Sequence, residues 1–180
     1  AARVLEQHYE PGQRWLVYCE DSEQLRDVME ALRGVGVHPI EYHSAMTGDR
    51  VAAMDWFRQF GGVIVSIRCL DEGVDIPDVT HALILASSQN PRQFIQRRGR
   101  VLRKAPNKNI AVVHDAIVAP LDLVDEPEQQ SLLRAELVRA LEFAGAAINK
   151  TAGAQLRSLA MSLGIDLERD GNAGIEEDEE

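Results

Sequence analysis

Short apolar runs alternate with amphipathic stretches along the first two thirds of the chain. Trp15 to Cys19 (WLVYC) is a run of apolar side chains and reads as a strand. Asp21 or Ser22 can cap the helix that follows, in which Leu25, Val28, Met29 and Leu32 fall at helical spacing and which Gly34 and Gly36 end. Val37 to Tyr42 reads as a second strand. Pro39 interrupts it and lacks a backbone donor, which suits a sheet edge. Thr47 is placed to cap a helix carrying Val51, Met54, Trp56 and Phe57, stopped by Gly61 and Gly62. Val63 to Ile67 (VIVSI), Thr80 to Ala86 and Asn109 to His114 complete the set of strands. Arg3 to Tyr9 fits a helical turn or a linker, and the pattern leaves both open.

These strands are continuous apolar runs rather than alternating ones. Strands of that kind, separated by helices, imply an α/β fold with a parallel sheet covered by helices on both faces. Such sheets take ligands at the carboxyl ends of their strands. The loops at 68–78 and 87–92 both follow a strand's carboxyl end. After His114 the pattern changes. Pro120 and Pro127 bracket an acidic connection to a long helical pattern at 128–148, with Leu132, Leu133, Leu137, Leu141 and Phe143, and a shorter one at 155–163. The organisation expected is a sheet domain at 1–118, a small helical appendage at 119–168 and a disordered acidic tail at 169–180, which has little to bury.

Hydrophobic content of 45% is enough for a core. No apolar run approaches the roughly 18 residues of a membrane span, and no secretory signal stands at the start, so no membrane partner is expected. The chain begins Ala-Ala-Arg, from which a piece of a longer polypeptide is expected. Cys19 and Cys69 lie far apart without ligand spacing, as two reduced core thiols would in a cytoplasmic protein (nuclear in a eukaryote). The net charge of −10 argues against nucleic acid until its distribution is read. Residues 166–180 hold eight of the acids and one base, while residues 92–108 hold seven bases and no acid. A near-neutral body with one cationic strip can bind phosphate locally.

That strip holds an ordered pattern. Asn90, Pro91 and Gln93 form a helix start, after which Gln96, Arg100 and Arg103 share one face and Phe94, Ile95, Val101 and Leu102 lie on the other side. Guanidinium forks spaced about a turn apart suit a multiply charged anion. By spacing alone, a solvated basic helix face fits equally well. The other marked stretch is Asp71-Glu72-Gly73-Val74-Asp75-Ile76-Pro77. Gly73 lets the main chain approach a ligand, and the Asp75 carboxylate can accept from a ribose hydroxyl. An ordinary acidic turn is the competing reading. The carboxylates lack the spacing of a known metal loop, so no metal site is assigned.

Together the two stretches resemble motifs V and VI of superfamily 2 helicases. Leu70 to Pro77 followed by Phe94 to Arg103 looks most like the XPB-like and restriction-subunit branches. Leu16-Val17-Tyr18-Cys19 is similar to motif IV, and His43 with Arg50 and Phe57 resembles the segment after it. The resemblance covers about residues 12–116. It implies a RecA-like second lobe, working with a first RecA-like lobe in the same polypeptide. In such a pair, ATP with Mg2+ sits between the lobes and nucleic acid runs across both. It implies that Arg100 and Arg103 are arginine fingers on the transferred phosphoryl group, that Gln96 couples the nucleotide to the other lobe, and that Gly73 and Asp75 touch the nucleotide.

The nucleic acid expected from the branch is DNA, with RNA not excluded. Ser22, Thr47, Ser66 and Arg68 are the expected contacts. Ile67 stands where much of the family has Thr, which leaves that side-chain phosphate contact to Ser66 or removes it. The helix start at Thr47 can offer free amides to a phosphate, with a plain helix cap as the more ordinary reading. His43, Trp15 and Trp56 read as core or rim residues rather than base-stacking platforms. The chain has no Gly-x-x-x-x-Gly-Lys-Thr/Ser loop and no Asp-Glu-x-His/Asp box, so on its own it is expected to hydrolyse no ATP. The helical appendage is a candidate docking element for a protein partner. The alternative to a motor lobe is a non-catalytic module that binds nucleic acid or protein on a degenerate helicase lobe.

Overall fold

The computed structural model describes residues 1–67, 79–85, 108–117 and 127–167. Contacts divide the chain into two compact units, Ala1–Ala116 and Ile117–Glu180.

The first unit is built on a five-stranded sheet in the order β2-β3-β1-β4-β5, every neighbouring pair parallel. The strands are β1 (Arg14–Cys19), β2 (Ile40–Tyr42), β3 (Gly62–Ile67), β4 (His81–Ile84) and β5 (Val112–Asp115). The helices among its described residues are α1 (Ala2–His8), α2 (Ser22–Gly34) and α3 (Arg50–Phe60). The most apolar run, β1, takes the centre, and its residues Trp15 to Cys19 are all buried.

Side-chain alternation sorts the core onto two faces. Trp15, Val17 and Cys19 join Val63, Val65 and Leu83 against Leu5 of α1 and Leu25, Val28, Met29 and Leu32 of α2. Leu16, Tyr18 and Ile64 point to the other side of the sheet, where α3 contributes the buried Met54 and Phe57.

Both ends of α2 are closed by side-chain and backbone bonds. Asp21 Oδ1 accepts from the Gln24 amide at 2.8 Å, and the Glu20 amide donates to Gln24 Oε1 at 2.8 Å. At the other end the Val37 amide donates to Leu32 O and the Gly36 amide to Arg33 O, with Gly36 at φ 77. This is a Schellman turn. It explains why β2 starts at Ile40 and not at Val37: Val37 is spent on closing the helix, and Pro39 has no donor for a ladder. β2 is an edge strand, as Pro39 indicated.

Other boundaries also differ from the sequence pattern. Thr80 precedes β4 instead of opening it, its amide bonded to Arg14 O and its hydroxyl accepting from the Arg14 amide. β5 begins at Val112. Arg3 to Tyr9 resolves as α1, which buries Leu5.

The second unit contains α4 (Pro127–Gly145) and α5 (Thr151–Ser162). Its core is Leu133, Leu137 and Ala160, with Ile117, Leu156, Leu163, Ile165 and Leu167 packed against it. Leu132, expected in the apolar stripe, is 57% exposed. α5 ends in a second Schellman turn: the Ile165 amide reaches Ala160 O, the Gly164 amide reaches Met161 O, and Gly164 has φ 66. No helix among the described residues is long and apolar enough to cross a membrane.

Candidate functional site

Because all five strands are parallel, their carboxyl ends lie on one edge. The register aligns Tyr42, Ser66, Tyr18, Ile84 and Asp115 in one row across the sheet near that edge. Three expected nucleic-acid contacts belong to this edge: Ser22 follows β1, Thr47 lies in the loop after β2, and Ser66 is the penultimate residue of β3.

Their environments differ. Ser22 is exposed, one residue past the Asp21 cap, so a phosphate reaching its hydroxyl also meets a carboxylate. Ser66 is fully buried, and its hydroxyl lies 3.5 Å from Ile67 O. β3 is covered on both faces, with Ile64 and Val65 both buried, so Ser66 is buried with them. Thr47 is exposed but does not cap α3. Asp49 does, its Oδ1 accepting from the amides of Val51 at 2.9 Å and Ala52 at 3.1 Å. The carboxylate nearer the helix takes the amides expected to be free for a phosphate, which corrects the role expected for Thr47. Arg68, Gly73, Asp75, Gln96, Arg100 and Arg103 lie outside the described residues, as does Cys69.

The same edge holds an arginine to which the sequence assigned no role. Arg50 is the first residue of α3, and its Cζ sits 5.4 Å from the centroid of the Tyr42 ring. That is within cation–π range. Its Nε is buried without a hydrogen-bond partner, and among the described residues no carboxylate pairs with its guanidinium. A cation at a helix N-terminus opposes the helix dipole. Tyr42 and the neighbouring Asp49 offset that cost and leave charge free for an anion. A basic residue directly after a capping Asp was the available signal.

Beside it, His43 Nε2 lies 2.5 Å from Glu41 Oε1, and the Ala45 amide donates to His43 Nδ1 at 3.2 Å. Trp15 is a buried core residue, while His43, with its side chain 15% exposed, and Trp56, half-exposed on α3, are rim residues. Under the edge, burial, reinforced by the Asp21 carboxylate, pushes the Cys19 thiol up to about 12. It stays protonated and is no nucleophile. Nearer the amino ends of β1 and β4, His81 stacks on Trp15 at 4.6 Å, His114 stacks on it at 5.4 Å, and His8 tilts against His114 at 5.1 Å. Burial lowers the pKa of His81 and of His114, and neighbouring imidazoles lower both further.

A family model, the helicase conserved C-terminal domain, matches residues 1–105. The chain belongs to that family. The match spans all of the sheet up to β4 and extends across the two marked stretches. This helicase C-terminal domain is 44% identical over 50 residues to the DNA 3'-5' translocase XPB2 of Sulfurisphaera tokodaii, covering 28% of the chain and 11% of that protein. It is 30% identical over 91 residues to the DEAD-box ATP-dependent RNA helicase 22 of Oryza sativa subsp. japonica, covering 50% of the chain and 16% of the relative. The chain thus spans a small part of the curated relatives it matches. Among solved structures, the C-terminal domain of the DEAD-box protein Dbp5 superposes with a TM-score of 0.54 at 15% identity, over 87% of this chain and 89% of that one. The fold is RecA-like.

Proposed function

We propose that this domain is the second motor lobe of an ATP-dependent superfamily 2 DNA helicase or translocase. The observation that supports it most is the fully parallel sheet of a helicase C-terminal domain. In such a sheet, the chain leaves β3 and β4 at the ligand-binding edge, and the segments with Gly73 and Asp75, then Gln96, Arg100 and Arg103, come next in sequence. DNA is preferred because the relative at 44% identity is named a DNA translocase.

In this reading ATP with Mg2+ is held mainly by a first RecA-like lobe, and its hydrolysis supplies the work of opening and closing the cleft. Arg100 and Arg103 stabilise charge on the transferred phosphoryl group without losing a proton at any working pH. Gln96 couples the nucleotide to the first lobe, and Asp75 accepts from the ribose. Ser22, Arg68 and Arg50 contact the nucleic-acid backbone; Ser66 supports the edge from beneath. The domain by itself turns over no ATP, because it has no phosphate-cradling loop.

ATP hydrolysis by the full-length protein tests this, with single-stranded DNA, duplex DNA and RNA each offered as stimulant. Stimulation by DNA above RNA is expected. Stronger stimulation by RNA would move the substrate class, and turnover indifferent to every nucleic acid would leave a binding module on a helicase fold.

A further inference from the structure

The Glu41–His43 pair has no part in the function just described, yet it is tightly anchored at the carboxyl edge. His43 Nδ1 accepts from the Ala45 amide. A ring nitrogen that accepts carries no proton, so neutral His43 has its proton on Nε2, and that N–H donates to Glu41 Oε1. The His43 carbonyl accepts from the Met46 amide at 3.2 Å. One residue thus ties the first turn of the 43–49 loop to β2 through both its ring and its backbone.

The far end of the loop is fixed by Asp49 on the first amides of α3. The chain leaves the sheet at Tyr42 and comes back with the Arg50 guanidinium over that same Tyr42 ring. Among the described residues Arg50 has no carboxylate partner, and its guanidinium rests over the Tyr42 ring. Its place is set by the loop that delivers it. A guanidinium contact to phosphate is directional, and a loop free to shift would spend ordering entropy at each binding event.

We infer that Glu41 and His43 are a positioning pair that holds Arg50 over Tyr42, ready for a backbone phosphate of the nucleic-acid strand. This rests on reading the carboxyl edge as the nucleic-acid track. Neither residue touches the strand. They act through Arg50, so their effect on binding depends on Arg50 being present.

The test is fluorescence anisotropy of the full-length protein with a labelled single-stranded DNA across a salt series, with thermal unfolding of every variant. Arg50→Ala should weaken binding about tenfold and reduce the slope of log K against log salt by about 0.7. His43→Ala should reproduce most of both changes, and the double variant His43→Ala/Arg50→Ala should bind no worse than Arg50→Ala alone. His43→Asn keeps a short acceptor for the Ala45 amide and should recover much of the loss. Should His43→Ala fail to fold, Glu41→Gln carries the test, since it retains the shape and weakens only the charged acceptor. Losses that add in the double variant, or a lower melting temperature with an unchanged salt slope, would overturn the inference and leave a structural staple. An unchanged slope in Arg50→Ala would instead overturn the reading of this edge as a track.

Discussion

Gly61 ends α3 and starts the turn into β3 at φ 76. Two penalties meet there on replacement by alanine. With φ 76 and ψ −156 the backbone lies in a region essentially reserved for glycine, which costs an L residue roughly 1–3 kcal/mol. A Cβ at Gly61 would also stand 2.8 Å from Gln13 O and 3.0 Å from Gly12 O, both main-chain atoms that cannot rotate away. Gln13 O is already engaged, accepting from the Gly62 amide at 2.8 Å. Relieving the clash displaces the start of β3 from β1, an overpacking cost of about 1–3 kcal/mol. Gly61→Ala is therefore expected to cost about 2–6 kcal/mol. Gly36 provides the comparison: its φ is 77 at the left-handed position of a Schellman turn and nothing lies within 4 Å of its Cβ position, so Gly36→Ala should show only a left-handed backbone cost of roughly 1–2 kcal/mol. Urea titration of both variants, followed by the fluorescence of the buried Trp15 and the half-exposed Trp56, measures the difference at constant m. Equal losses in the two variants would refute the steric argument.

Three more outcomes follow from residues already described. His81 and His114 have folded pKa values below the ordinary imidazole value, so the stability they contribute is present above about 6.5 and is lost as pH falls through that value toward the lower folded ones. His8 of α1 faces His114, and Glu10 opposes part of the shift at His81; melting curves from pH 8 to pH 5 should therefore flatten in His81→Gln and His114→Gln, and an unchanged slope would remove the cluster from the acid response. Deleting residues 170–180 should tighten DNA binding at low salt and do little at high salt, if the acidic tail shields the basic strip at 92–108; equal affinity at low salt disposes of that idea. The isolated domain should show no ATP turnover in a sensitive phosphate-release assay, and turnover lost in Arg100→Ala would contradict the need for a first lobe.

Much of the fold was legible because burial on both faces forces continuous apolar runs. WLVYC became the central strand β1 and VIVSI its neighbour β3 for that reason. Boundaries were less legible where backbone groups are claimed by something other than a ladder. Val37 closes α2, and Thr80 bonds Arg14 with its side chain, and neither fact is written in local hydrophobicity. Thr47 and Asp49 are both of residue types that can cap a helix, two positions apart; only the path of the loop decides that Asp49 does so. The burial of Ser66 was readable from its place on a strand covered on both faces. The stacking of His81 and His114 on Trp15, with His8 against His114, comes from chain segments brought together by the sheet, so no local pattern announces it. The nucleotide residues expected from the family motifs rest on sequence alone, since they lie outside the described residues.

The most direct measurement is DNA-stimulated ATP hydrolysis by the full-length protein, wild type against Arg100→Ala and Arg103→Ala, with nucleotide binding and thermal unfolding followed in parallel. If these side chains are arginine fingers, each variant keeps its fold and its ATP affinity and loses turnover by about 10³-fold or more. Turnover in both variants within a few-fold of wild type would contradict the assignment of this domain as a motor lobe that completes the ATP site.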